Sequence, residues 1–429
     1  MYTKIILFLL CKLLWAYPIF LPPPVNPTLW TIKSPKIQQA FNAYNNFRYQ
    51  NCLYILKDSI STIKPSKEFD WLEIELRIMS WVQLGAVEKI HRQIVELRKS
   101  SHSPNDLDRL ELLSAITGLW TGEEDSRLSA KKLRKLRSKW KLRGNYNLEI
   151  SAQICHLAYL WHEERLEDMS IPLRNLEKKL SKVYALNHPA WNTYHVYKIL
   201  VHTMKYEAQN RYILPLFRQI KQSTSQPVIH NAIYTQAVKG FCYIHKGETS
   251  RGLRHLESAL GSFEKYIGSS SPFTLQFGIK LGNLLWQHNQ FSAAYDLGAR
   301  LHKVCNKTFG GKSQTTIKYR ILLAKCMLRM RRTGEAFNLL KTTLDALNMK
   351  KEIRLAAQIH LQLLRLFLEQ DKFLNAEKHL GIGRQIASRH FHPNHPIIKE
   401  YQLLGVTLKN RKNSTRVDNL NPIKTIHVE

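Results

Sequence analysis

The densest concentration of charge in the chain runs from Lys131 to Arg143. It holds Lys131, Lys132, Arg134, Lys135, Arg137, Lys139, Lys141 and Arg143 and no acid. Eight cations this close can neutralise several phosphates and give binding that weakens with salt. Runs of this kind also serve as nuclear localisation signals. If the segment is a helix, Leu133, Leu136 and Trp140 supply a buried side and the charges spread over the rest. The plainer reading is a solvated helix face with no dedicated partner. No base-reading module accompanies the run, which argues against sequence-specific DNA recognition.

Other groupings carry weaker chemistry. Phe309-Gly310-Gly311-Lys312-Ser313-Gln314-Thr315 ends like a phosphate-binding loop, but Asn306 stands where the first glycine belongs and no strand precedes it. Glycine there ends a helix instead. His390, His392 and His395 crowd together and could hold a transition metal, yet Pro393 and Pro396 interrupt them. We expect no metal and no cofactor. Asn306-Lys307-Thr308 and Asn413-Ser414-Thr415 fit the glycosylation triplet, which matters only in a secreted chain. The six cysteines, Cys11, Cys52, Cys155, Cys242, Cys305 and Cys326, share no CxxC spacing. Most sit among helical apolar residues, where a thiol packs as a small hydrophobe, so we read a reducing compartment. No Ser-His-Asp order, Cys-His order or convincing carboxylate pair appears, and the expectation is a protein without a catalytic site.

These residues need elements to position them, and a repeat supplies the elements. Small residues recur at Gly252, Ala294, Ala336 and Ala376, spaced 42, 42 and 40 apart. Twelve residues before each stands Gly240, Gly282, Ala324 or Leu364, and four after each stands Leu256, Gly298, Leu340 or Leu380. A fixed period of this size marks stacked supersecondary units. Within one unit Leu281, Leu284 and Leu285 share a helix face, Gln287-His288-Asn289-Gln290 is a polar turn, and Phe291, Ala294 and Leu297 begin a second helix. The small residue marks the place where the two helices cross. Stepping the period upstream puts further crossings near Arg211, Ser170, Ala130, Ile90 and Cys52.

The Leu281-Gly282…Leu285…Phe291…Ala294 order and its three companions resemble a tetratricopeptide repeat protein. The period is longer than the usual 34 or so residues, as in the kinesin-light-chain-like variety. The linkers Ser271-Pro272-Phe273-Thr274-Leu275 and His392-Pro393-Asn394-His395-Pro396 are similar to that variety's. Long arrays of this kind also resemble the C-terminal parts of signal-transducing NTPases. The resemblance implies an all-α, right-handed superhelical solenoid of about nine antiparallel helix pairs. It also implies that the first helix of each pair lines a concave groove. Carried onto this chain, the groove positions are Asn283, Gln287, Lys318, Lys325, Arg329 and Arg365.

Basic residues number 64 against 33 acidic, a formal net charge of +31. That excess points to an acidic partner, nucleic acid or an anionic membrane. Residues 1–34 form an apolar, Pro-rich leader: Lys12 divides it and Pro22-Pro23-Pro24 ends it. It is short for a membrane span and has a poor cleavage site for a signal peptide. We expect degenerate helical repeats over 35–233, clear repeats with a closing helix Ile397–Lys409 over 234–409, and a polar tail over 410–429. The function expected is a non-catalytic, cytoplasmic scaffold that takes an acidic protein or peptide in its groove, with no small-molecule substrate. The alternatives are nucleic-acid or anionic-lipid binding through 131–143, or the regulatory end of a signalling NTPase. A functional signal in residues 1–21 would make the chain secreted or membrane-anchored instead.

Overall fold

Apolar residues at helical spacing, broken by short polar turns, fold as helices and little else. The computed structural model describes residues 35–45, 48–56, 68–84, 86–100, 103–121, 126–162, 166–185, 190–205, 229–391, 393 and 395–420. Among them stand eighteen α-helices, one short 3₁₀ turn and no strand. No described helix is long and apolar enough to cross a membrane.

The chain divides at Asn289 into two compact units. The amino-terminal unit contains α1 (Pro35–Asn45), α2 (Tyr49–Ile55), α3 (Glu68–Leu84), α4 (Val87–Ser100), α5 (Pro104–Thr121) and α6 (Ser126–Leu142). It continues with α7 (Tyr146–His162), the 3₁₀ turn Leu166–Met169, α8 (Ser170–Val183), α9 (Ala190–Lys205), α10 (Ile229–His245), α11 (Thr249–Ile267) and α12 (Pro272–Gln287). Odd- and even-numbered helices pair in order from α1/α2 to α7/α8, and α10 pairs with α11. The upstream crossings Cys52, Ile90 and Ala130 are buried at the expected places, Ser170 opens α8 half-buried, and Arg211 lies outside the described residues. One contact departs from nearest-neighbour stacking: α12 also touches α3.

The carboxy-terminal unit contains α13 (Phe291–Phe309), α14 (Gln314–Arg329), α15 (Thr333–Asp345), α16 (Met349–Glu369), α17 (Phe373–His390) and α18 (Pro396–Leu420). Here α14 packs on α15, α16 on α17, and α18 on both α16 and α17. These are tetratricopeptide-like hairpins, each covered by the next, which is how short helix pairs hide an apolar face they cannot bury alone.

The crossings work by close approach. A Cβ on Gly252 would come within 2.5 Å of the Gly240 carbonyl oxygen, so only glycine lets α10 and α11 meet there. Ala294, Ala336 and Ala376 are fully buried. The turns share a second device. Gly247, Asn289, Arg331 and Asp371, each five residues before a crossing, all have positive φ, between 53° and 82°. In three of these turns the next amide reaches back to close the helix: Glu248 N to Tyr243 O, Arg332 N to Met327 O and Lys372 N to Phe367 O, each 2.9 Å. That left-handed residue with its six-to-one bond terminates the first helix and reverses the chain.

The closing helix runs on to Leu420, well past the expected end at Lys409. Arg411 holds it down by donating to the Leu368 carbonyl at 2.8 Å, and Lys412 pairs with Glu377 at 2.6 Å. Residues expected to form the start of a tail therefore cover α16 and α17. Tyr401 anchors the helix from inside: its ring fills the space left by Gly383 and its hydroxyl donates to the Ala357 carbonyl at 2.5 Å.

Candidate functional site

Of the six groove positions, Asn283 and Gln287 fall on α12 in the amino-terminal unit. The other four fall on α14 and α16 in the carboxy-terminal unit. Asn283 is buried and turns its amide back on its own helix, donating to the Ile279 carbonyl at 2.9 Å. Gln287 is half-buried, and its Oε1 has no hydrogen-bond partner among the described residues.

The carboxy-terminal unit builds a cluster from three successive layers. Residues Ile321 to Leu328 of α14 are all buried. That makes Lys325 an ammonium inside an apolar stretch, only 9 % exposed. Burial pushes it down to about 8, Arg365 on α16 adds to the shift, and Glu400 on α18 opposes it. Arg365 donates to Glu400 at 2.7 Å and to Gln362 Oε1 at 3.2 Å. The Arg365 and Glu400 side chains are each about a quarter exposed, so this end of the cluster reaches solvent. Arg329, one helical turn beyond Lys325, is exposed and lies over the Phe291 ring at 5.0 Å. Lys318 lies two turns before Lys325 on α14, half-buried. The structure thus brings Lys325 and Arg365 together and leaves Arg329 and Lys318 along the same helix.

Glu400, in the closing helix, is the member absent from the positions expected from the sequence. Its pairing with Arg365 depends on how α18 docks, 35 residues away, and no local spacing signals it. A second pair flanks the cluster. His360 on α16 and His379 on α17 face each other with Nδ1 atoms 2.8 Å apart, and His379 stacks on Phe367. Burial holds His360 down to about 4, helped by His379 and Lys378, and burial with Lys378 lowers His379 as well. Burial thus favours the neutral form of both rings.

The run at 131–143 forms most of α6, with Leu133, Leu136 and Trp140 buried as expected. Its charges are not all spread on the surface. Asp108 on α5, its side chain 6 % exposed, accepts from Lys139 at 2.6 Å and Arg143 at 3.0 Å. Arg143 also donates to Asn105 at 2.8 Å. Arg137 reaches Gln153 at 3.3 Å and is lowered by burial and then by Arg134. Lys132 is half-buried. Lys131, Arg134, Lys135 and Lys141 are exposed and show no ion pair among the described residues.

The remaining motifs have structural work. Gly310 caps α13 at φ 78°, and Ser313 caps α14 by accepting from Thr316 N at 3.1 Å. The Thr316 hydroxyl in turn donates to the Gly310 carbonyl at 2.9 Å. His395 accepts the Ile397 amide at 3.2 Å at the start of α18; His392 lies outside the described residues. Cys52, Cys155, Cys242, Cys305 and Cys326 are buried thiols, with Cys52 pushed up to about 11 and Cys326 to about 12 by burial.

No family model matches the chain, and no curated protein does. Solved structures do. NprR in complex with its cognate peptide NprX is 13 % identical over 82 % of this chain and all of its own, with a TM-score of 0.48. A Rap protein complexed with competence and sporulation factor is 10 % identical over 79 % of this chain and 96 % of its own, at 0.49. The apo form of RapI is 12 % identical over 79 % of this chain and 96 % of its own, at 0.38.

Proposed function

We propose that this chain is a non-catalytic scaffold that binds an acidic protein segment on the α14–α16–α18 face of its carboxy-terminal unit. The observation that carries the reading is Lys325. A lysine buried to the point of losing more than two pH units of basicity costs stability in the folded chain. Its neighbours include the Arg365 guanidinium and the Glu400 carboxylate. A carboxylate from a partner would reach the exposed edge of Arg365 and the ammonium beneath through charge-assisted hydrogen bonds. Arg329 would steer the same segment from the outer turn of α14. Repeat hairpins present such faces to extended or helical peptides.

The test is anisotropy of a labelled Glu/Asp-rich peptide against a Gln/Asn-substituted control. The wild-type chain should prefer the acidic peptide. Lys325→Met should weaken it about tenfold or more, as loss of a buried charge contact does, and Arg329→Glu should weaken it less and mostly through the on-rate. Equal binding of both peptides, or of wild type and Lys325→Met, would remove this face from the reading.

A further inference from the structure

A cationic surface lies in the amino-terminal unit, on the side-by-side helices α6 and α8. Both follow a crossing residue, Ala130 and Ser170, so their exposed stripes coincide position by position. On α6 the stripe reads Lys131, Arg134, Lys135, Ser138 and Leu142; on α8 it reads Ile171, Arg174, Asn175, Lys178 and Lys182, and all ten are exposed. Both helices pack on α7 between them. They are close enough for Arg137 and Lys141 of α6 to hold down Lys179 of α8, which burial and those two cations lower to about 8. Lys179 is itself ion-paired with the buried Glu149 of α7. Glu177 is the one acid on either helix among the described residues; its side chain is 45 % exposed but paired with Lys198 at 3.1 Å, while Asp168 sits in the turn ahead of α8.

Aliphatic side chains interrupt this cationic face where a phosphate backbone would have no use for them. Leu142, in the last turn of α6, is 88 % exposed, and Ile171, in the first turn of α8, is 69 % exposed. Tyr146, just beyond Leu142, is 56 % exposed. Cations with scattered aliphatic and aromatic side chains on one helical surface match the headgroup region of an anionic bilayer. There the charges meet lipid phosphates and carboxylates, and the apolar tips leave water. A nucleic acid would use the cations alone.

We propose that the α6–α8 face docks the protein onto the surface of an anionic lipid membrane without crossing it. The attachment is electrostatic, with Leu142, Tyr146 and Ile171 as shallow anchors.

The test is co-sedimentation of the full chain with phosphatidylcholine vesicles, with and without phosphatidylserine, at about 0.1 M salt where screening is moderate. The quantity read is the excess binding that phosphatidylserine brings. Wild type should show an excess that falls steeply with salt. Lys131→Glu/Arg134→Glu/Lys135→Glu should lose at least about tenfold of it, and Lys178→Glu/Lys182→Glu should reproduce the loss from the other helix. Leu142→Ser/Ile171→Ser should lower it about three- to fivefold with the salt dependence kept. All these positions are exposed, so helicity by circular dichroism should match wild type. No phosphatidylserine excess in wild type, or a full excess in both charge-reversed variants, overturns the proposal. So does duplex DNA that binds through the same cations, is indifferent to Leu142→Ser/Ile171→Ser, and finds no vesicle counterpart.

Discussion

Lys325 separates stability from binding, and that makes its role measurable. Its ammonium is lowered from 10.5 to about 8 by burial, then by Arg365. Below about pH 8 both folded and unfolded chains carry the proton, and the folded chain bears the full cost of a buried charge. Between about 8 and 10.5 the unfolded chain holds a proton that the folded chain has released, so stability rises with pH in that window. Lys325→Met keeps the volume and leaves the Arg365–Glu400 pair in place. At pH 7 it should stabilise the protein by about 1–3 kcal/mol, the range seen when buried charges become apolar, and the rise above pH 8 should shrink. Urea titrations across pH 6.5 to 10 would read both. A destabilised Lys325→Met would mean that interactions within the chain more than offset the cost of burying the ammonium. The sequence did carry a signal here. Ile321 to Leu328 is apolar on every side except at Lys325, and a helix apolar all round is a buried one. A groove position for Lys325 would therefore place its ammonium beneath the exposed edge of Arg365 rather than in the open. Its partner Glu400 was out of reach, since it belongs to a helix whose docking no local pattern describes.

Helix pairs were legible because their constraint is local and repeats. Where two helices touch, the side chain must be small, and Gly252, Ala294, Ala336 and Ala376 announce this every 40 or 42 residues. The turn device was less legible, because only one of its four left-handed residues is glycine. Asn289 and Asp371 tolerate that conformation; Arg331 adopts it at a cost of roughly 1–2 kcal/mol for an L residue. The six-to-one bond and the crossing five residues later hold them there. Arg331→Gly should therefore stabilise the chain by a few tenths to about 1 kcal/mol, after the greater unfolded-state entropy of glycine is subtracted. The same change at exposed Lys341, inside α15, should cost about 1 kcal/mol. Opposite signs from one substitution type, read as Tm shifts, would locate the gain in the backbone; matching losses would show that Arg331 bears no strain. Ion pairs between helices were the least legible layer. Asp108 gathers Lys139 and Arg143 from 31 and 35 residues away, and a run with no acid of its own gave no hint of an acid on the preceding helix.

At the scale of the whole molecule, the net charge of +31 acts on every element at once. Two effects of salt oppose each other. Exposed ion pairs such as Arg332–Glu335 at 2.6 Å and Arg251–Glu248 at 3.1 Å weaken as salt is added, but each is worth about 0–1 kcal/mol at most. With 64 basic residues and 33 acidic ones, 31 cations are in excess of the acids, and folding brings them closer than the unfolded chain does. Raising the ionic strength from about 0.1 to 1 M shortens the screening length from about 10 to 3 Å, which relieves that repulsion across the surface. Repulsion should win, and Tm should rise by several degrees with sodium chloride. Sodium phosphate at matched ionic strength should raise it further, because its anions engage clustered cations such as Lys131, Arg134 and Lys135 directly. Lys131→Glu/Arg134→Glu/Lys135→Glu should lose that phosphate advantage and melt higher than wild type in low salt. A Tm that falls with salt would show that the ion-pair network outweighs the excess charge.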